Sequence, residues 1–451
     1  MRYLIPLCIA LLFLPITIAS AQEISASCNE NLLNQNYYKK NSLTSYEFIL
    51  PGKDDWVFRS NTDFQSNFSF HPAAVTALKY FQDLLNKNGI TLVIAYPPTR
   101  GLTAHENIPQ ETQDKFNFTP EKAIKNYQSI FDPLQSDRIH VVGAPDFNKN
   151  EGFSRKKDQH WNTNGARQMA QNLARYIKSL PVYDVLTKQE FTTSFKKKYE
   201  FAGRYNEVTE KICGLTLAPE QDKMYETSAN ANPQNEDDLF GNKYPEVVLI
   251  GTSNSKADRF NVNFDGFLKE YLSADVLNHA EPGMGIKDPF LKYLTSQEFR
   301  KTPPKLIIWE IPSYYAMTSK SDALFHELEA AFHGECSEEN TIKQSTTKIE
   351  KPSKQTLIEF NENHPNAKDS YIWLSFDHPF FKRFSIETTF NDDEKSTKGF
   401  RFERTRNFKP DGKFYTSYPK SDYSIKKIDI NISEKLIGNT VKIKLCRKPA
   451  I

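Results

Sequence analysis

Val247-Val248-Leu249-Ile250-Gly251-Thr252-Ser253-Asn254-Ser255 decides how this chain is read. An apolar, β-branched run stops at a glycine and delivers a serine at the carboxyl end of a strand. In a parallel α/β sheet that edge is where ligands bind, beside backbone N–H groups able to receive an oxyanion. Taken alone, Gly251-Thr252-Ser253 reads equally as a turn or a helix cap. A serine hydroxyl becomes a useful nucleophile only when an imidazole and a carboxylate activate it.

Both groups occur upstream, in Lys157-Asp158-Gln159-His160-Trp161. The chain has nine histidines, and His160 stands two residues after an aspartate. Side chains at i and i+2 of an extended or turn segment point to one side, so Asp158 can orient the His160 imidazole. The competing reading leaves His160 in a solvated loop and gives Asp158, Asn162 or Thr163 the work of capping a helix over 165–180. The serine motif tips the choice toward a triad of Asp158, His160 and Ser253.

Outward from these motifs, the periodicity predicts an irregular segment up to about His71, a helix over 72–88 and a continuous apolar strand over 90–96. A helix near 121–131, a strand at 139–142, the helix 165–180 and strands at 247–251, 276–280 and 306–311 follow. Continuous apolar strands alternating with helices imply a parallel α/β sheet flanked by helices. Residues 226–245 read as a polar insertion, and 337–354, with almost nothing to bury, as a linker. Beyond it, short aromatic or β-branched runs at 371–376, 384–390, 399–404, 425–432 and 440–445 predict a β-sandwich. The expected organisation is a leader over 1–21, an α/β catalytic domain over 22–336, a linker over 337–354 and an all-β module over 355–451.

The leader is read from Arg2, an apolar run from Tyr3 to Ile18 and Ala19-Ser20-Ala21, the three-part pattern of a secretory signal peptide with small residues at the cleavage site. Export implies an oxidising compartment, the periplasm. Cys28, Cys213, Cys336 and Cys446 suit two disulfides, with three connectivities open to the sequence. None of them has a partner at zinc-site spacing, so no metal is expected. A formal charge of +2 argues against nucleic acid as a partner and leaves polyanion binding to local basic patches.

Four motifs, Tyr96-Pro97-Pro98-Thr99-Arg100-Gly101, Asp158-Gln159-His160-Trp161, Gly251-Thr252-Ser253-Asn254-Ser255 and Ile308-Trp309-Glu310-Ile311-Pro312-Ser313-Tyr314-Tyr315, occur in an order and spacing that resembles the AlgX/AlgJ family of alginate O-acetyltransferases. The resemblance spans essentially the whole chain after the leader. It implies an SGNH-hydrolase-like domain followed by a β-sandwich carbohydrate-binding module. It also implies acetyl transfer through Asp158, His160 and Ser253, with Gly283 as a second oxyanion donor and Tyr315 lining the acceptor site. The pairing Cys28–Cys213 and Cys336–Cys446 is implied by the family pattern, and the domain reading supports it. No bound cofactor is implied; the acetyl donor comes from a partner, among other periplasmic or membrane proteins of an exopolysaccharide acetylation and export complex.

An anionic polysaccharide is the expected substrate. Arg100, beside the predicted active-site edge, is the expected carboxylate contact, and the β-module offers Trp373, Lys398, Phe400, Arg401, Arg404 and Arg406 for stacking and bidentate contacts. Two other classes fit the same residues: an acetylesterase with water as acceptor, and a polysaccharide-binding scaffold without catalysis. All the expected chemistry lies between Arg100 and Tyr315, so a chain ending before Cys336 is expected to keep turnover of a small ester and lose capture of long polymer.

Overall fold

The computed structural model describes residues 24–144, 152–230, 244–256, 262–350, 352–391, 396–418, 422–431 and 433–449. The stretch read as a leader, 1–21, and most of the polar stretch after Asn230 lie outside them. Among the described residues no helix is long and apolar enough to cross a membrane.

Strands β1 (Ile49–Pro51) and β2 (Val57–Arg59) pair as a short antiparallel ribbon. The parallel sheet begins with β3 (Thr91–Ala95) and β4 (Val141–Val142). A hairpin of β5 (Phe191–Phe201) and β6 (Glu220–Ala229) intervenes. The sheet is completed by β7 (Val247–Ile250), β8 (Val276–Asn278) and β9 (Leu306–Glu310). Its order is β4-β3-β9-β7-β8, with every neighbouring pair parallel. Val247, Val248, Leu249 and Ile250 are all buried, because helices cover both faces of a parallel sheet. Helices Pro72–Lys87 and Thr163–Ile177 lie on opposite sides of it, as their membership of two separate cores shows. The sheet therefore brings the carboxyl ends of β7 and β9 together, with Ile250 level with Trp309.

The stretch read as a linker is structured. β10 (Thr341–Lys348) and β11 (Lys354–Glu359) are outer strands of a two-sheet sandwich. Their Thr, Ser, Lys and Gln residues conceal them, since an edge strand with one solvated face has little to bury. The sandwich continues through β12 (Ser370–Phe376), β13 (Arg383–Phe390), β14 (Thr397–Glu403), β15 (Lys413–Ser417), β16 (Ile425–Asn431) and β17 (Thr440–Arg447). One sheet runs β10-β17-β12-β15 and the other β11-β16-β13-β14, all antiparallel. Part of the stretch read as a polar insertion, residues up to Ala229, is likewise strand β6.

The sandwich is not a detachable appendage. Along β12, Ile372, Leu374 and Phe376 point into its own core, while Tyr371 and Trp373 join the core of the α/β domain together with Phe325 and Leu328 of helix Asp322–His333. Trp373 is therefore a buried interface residue and not a platform for sugar. Removing the module would bare this aromatic face, so the expectation that a chain ending before Cys336 behaves as an independent enzyme is revised. Disulfides join Cys28 to Cys213 and Cys336 to Cys446, the pairing the family resemblance implied.

Candidate active site

The turn after β7 places Ser253 at the sheet edge with its Oγ 2.7 Å from His160 Nε2. His160 Nδ1 in turn bonds Asp158 Oδ1, and Asp158 Oδ1 also accepts the His160 N–H at 3.0 Å. Asp158 Oδ2 accepts the Arg204 N–H at 3.0 Å. That contact needs the glycine before it, because a Cβ on Gly203 would run into the Lys157 carbonyl. Burial by itself would raise the Asp158 carboxyl, but the neighbouring imidazole and the two backbone donors outweigh it and hold the group at about 2. Asp158 is thus an anion at any pH where an imidazole can act as a base.

A short antiparallel turn delivers these two residues. Arg155 N–H bonds His160 O at 3.1 Å and Asn162 N–H bonds Phe153 O at 3.0 Å, while the Asn162 side chain caps helix Thr163–Ile177 through the Gly165 N–H. The capping role weighed for Asn162 and the triad geometry of Asp158 and His160 therefore coexist. The Trp161 indole N–H donates to Asn254 O at 2.8 Å, which ties the histidine turn to the serine turn.

Arg100 serves this turn from behind. It is 3 % exposed, and its guanidinium bonds the carbonyls of Arg155, Lys156 and Val57, the Tyr205 hydroxyl and Asp63 Oδ2. With its N–H groups committed to these buried partners it has none to offer a substrate, so the expected carboxylate contact is corrected to a positioning role. Desolvation alone would lower the guanidinium, yet Asp63, Tyr205 and Asp158 reverse the direction.

Glu310, the acid of the fourth sequence motif, ends β9. It is fully buried beneath the serine turn and accepts from the Thr252 N–H at 2.7 Å, the Thr252 hydroxyl at 2.9 Å, Asn254 Nδ2 at 3.1 Å and Ser255 Oγ at 3.3 Å. Burial raises its pKa, and these four hydrogen bonds from three residues oppose the shift only in part. Gly251 is required here, since a Cβ would stand 2.7 Å from both Glu310 Oε2 and Ser255 Oγ. Glu310→Ala leaves several buried donors without an acceptor and is expected to destabilise the fold by about 3 kcal/mol or more. Glu310→Gln, which keeps an acceptor, should lose much less; urea unfolding of the two variants checks the order.

Among the described residues no acceptor lies opposite the Ser253 N–H, and Ser253 is only partly buried. Gly283 lies in the loop after β8, at φ 72°, and this loop is tied to the serine strand by Glu281 N–H to Gly251 O at 3.0 Å. Tyr315 is half-buried after β9 with its ring against Tyr314.

The remaining basic candidates divide. Arg404 is buried and pairs with Glu327 at 2.5 Å, so it belongs to the contact between the two domains and not to a polymer-binding surface. Phe400 is buried in the sandwich core. Arg401 is exposed beside Glu403, Arg406 is exposed, and Lys398 is exposed with Tyr418 and Asp322 nearby.

Residues 49–313 match the family model described as ALGX, SGNH hydrolase-like domain, acetyltransferase AlgX. The alginate biosynthesis protein AlgX of Pseudomonas syringae pv. tomato is 30% identical over 327 residues, 71% of this chain and 67% of that protein. A Pseudomonas aeruginosa protein named probable alginate O-acetylase AlgJ is 30% identical over 292 residues, 59% of this chain and 70% of that one. The solved structure of Pseudomonas aeruginosa AlgX shares the fold, with a TM-score of 0.75 at 24% identity over 92% of this chain and 98% of that chain.

Proposed function

This chain belongs to the AlgX family of SGNH hydrolase-like acetyltransferases, and we propose that it moves an acetyl group through Ser253 onto hydroxyls of an exported polysaccharide, the mannuronate residues of alginate. The observation that carries the reading is the hydrogen-bonded line from Asp158 through His160 to Ser253 Oγ. As an acetyl ester binds, His160 Nε2 takes the Ser253 proton and the oxygen attacks the carbonyl carbon. The N–H groups of Ser253 and Gly283 receive the developing oxyanion. Collapse expels the donor's alkoxide, which takes the proton from His160 and leaves acetyl-Ser253. A sugar hydroxyl then repeats the sequence: it gives its proton to His160, attacks the acetyl carbon and releases Ser253, whose oxygen recovers the proton.

The sugar stands at the acceptor side beside Tyr315, and the exposed cations Lys398, Arg401 and Arg406 hold the polymer's carboxylates. The donor is presented by a partner protein of an acetylation and export machinery in the periplasm, a location that rests on the leader over 1–21 and on the two disulfides. The test incubates the purified protein with a small acetyl ester and mannuronate oligosaccharides and weighs the products. Oligosaccharides heavier by acetyl groups support the transferase; free acetate alone, with unmodified sugar, replaces it by the esterase.

A further inference from the structure

The geometry points to a second role for the β-sandwich: Thr405 and Asn407, just past β14, clamp the loop after β8 from the far side and so act as positioning residues for Gly283. This inference rests on the acetyl-transfer reading and extends it, since Gly283 matters only if it receives an oxyanion.

The loop between β8 and helix Lys287–Leu294 is held from two directions. On the α/β side, His279 N–H bonds Leu249 O at 2.7 Å and Glu281 N–H bonds Gly251 O at 3.0 Å, so the loop carries the β7 ladder on past the serine turn. On the sandwich side, Asp288 Oδ2 accepts both the Thr405 N–H at 2.6 Å and the Thr405 hydroxyl at 2.8 Å, and Asp288 is 1 % exposed. Lys287 Nζ bonds Glu327 at 2.6 Å and Glu403 O at 3.1 Å, and Arg404 pairs with the same Glu327. Asn407 Nδ2 reaches Pro282 O at 3.4 Å and lies so close to Gly283 that a Cβ there would collide with it.

These contacts are poorly explained as adhesion alone. The apolar face around Trp373 already joins the domains, and buried ion pairs add little net stability because each charge must be desolvated. What they add is a fixed geometry. Gly283 and Gly285 both adopt positive φ, at 72° and 65°, a conformation glycine takes readily, and with no side chain of their own neither anchors this stretch against its neighbours. A donor N–H must stand within hydrogen-bond reach of the oxyanion, and a displacement of about 1 Å can cost on the order of a hundredfold in rate.

The test compares Asn407→Ala, Thr405→Val and the double variant with Thr405→Ser and Ser253→Ala, using a small soluble acetyl ester. Asn407 is exposed, so its truncation leaves the fold intact, and thermal unfolding monitors every variant. Assayed at a temperature where every variant is folded, the double variant should lose roughly ten- to a hundredfold in kcat at unchanged KM, while Thr405→Ser retains wild-type kcat. If Ser253→Ala is inert but the double variant keeps wild-type kcat, or changes only KM, the clamp is overturned and the triad reading stands. If Ser253→Ala remains active, both are overturned.

Discussion

Ser253→Ala and His160→Ala will each reduce turnover of a small acetyl ester by at least about ten-thousand-fold, because neither residue has a function without the other. The Oγ and Nε2 atoms stand 2.7 Å apart, already at the distance for proton transfer. Ser253→Ala should cost little stability, whereas His160→Ala should cost about 2 kcal/mol, because it leaves the buried Asp158 carboxylate without its imidazole partner. Ser253 is partly exposed, and the turn that carries it is held by Glu310, Thr252 and Asn254. His160→Ala keeps the backbone bonds to Arg155 and Asp158, so the turn that carries it stays formed and the variant remains folded. Residual activity should be equal in the two single variants and the double variant, as expected for residues that act as one unit. Steady-state kinetics beside circular dichroism check both halves of the prediction.

Asp158→Asn should lower kcat by about ten-thousand-fold through the tautomer of His160. An amide facing Nδ1 offers an N–H where the carboxylate offers only acceptors, and the imidazole then keeps its proton on Nε2, where it cannot take one from Ser253. The same variant makes a prediction about pH. The folded carboxyl sits at about 2, against 3.8 for the free group. A depressed value means stability that is present above the unfolded pKa and lost as pH falls through the folded one, here between roughly pH 4 and pH 2. The shift corresponds to about 2 kcal/mol. Wild type should therefore lose this increment on acidification from pH 5 to pH 2 and Asp158→Asn should not; denaturant unfolding at the two pH values measures the difference.

The central sheet is legible in the sequence because its strands are continuous apolar runs, and Val247–Ile250 and Leu306–Glu310 fall close to where that pattern puts them. The hairpin of β5 and β6 is not legible in the sequence, because Thr, Ser, Lys and Glu solvate most of it and leave no period to read. The burial of Trp373 is legible in the sequence, against the expectation that it stacks on sugar: Tyr371-Ile372-Trp373-Leu374 is an unbroken apolar run, which implies burial on both faces and leaves no side for sugar. Arg100 could not have been resolved the same way. Its place near a strand end says nothing of its direction, and the partner that neutralises it, Asp63, comes from a separate short helix. Asp158, His160 and Ser253 are legible as a candidate group because their residue types are restricted by chemistry, and the structure sets them in one hydrogen-bonded line. Glu310 had a weaker signal, an acid ending an apolar strand, which becomes decisive only when the sheet order sets that strand beside β7.

The most direct test is to catch the acetyl group on the enzyme. The protein is mixed with a chromogenic acetyl ester in the absence of sugar, quenched in acid within the first turnover, and digested for peptide mass mapping. One acetyl group is expected on the peptide containing Ser253, absent from Ser253→Ala and discharged when mannuronate oligosaccharide is added before the quench. Continued ester turnover with no acetyl on Ser253, or with the acetyl on another residue, would contradict it.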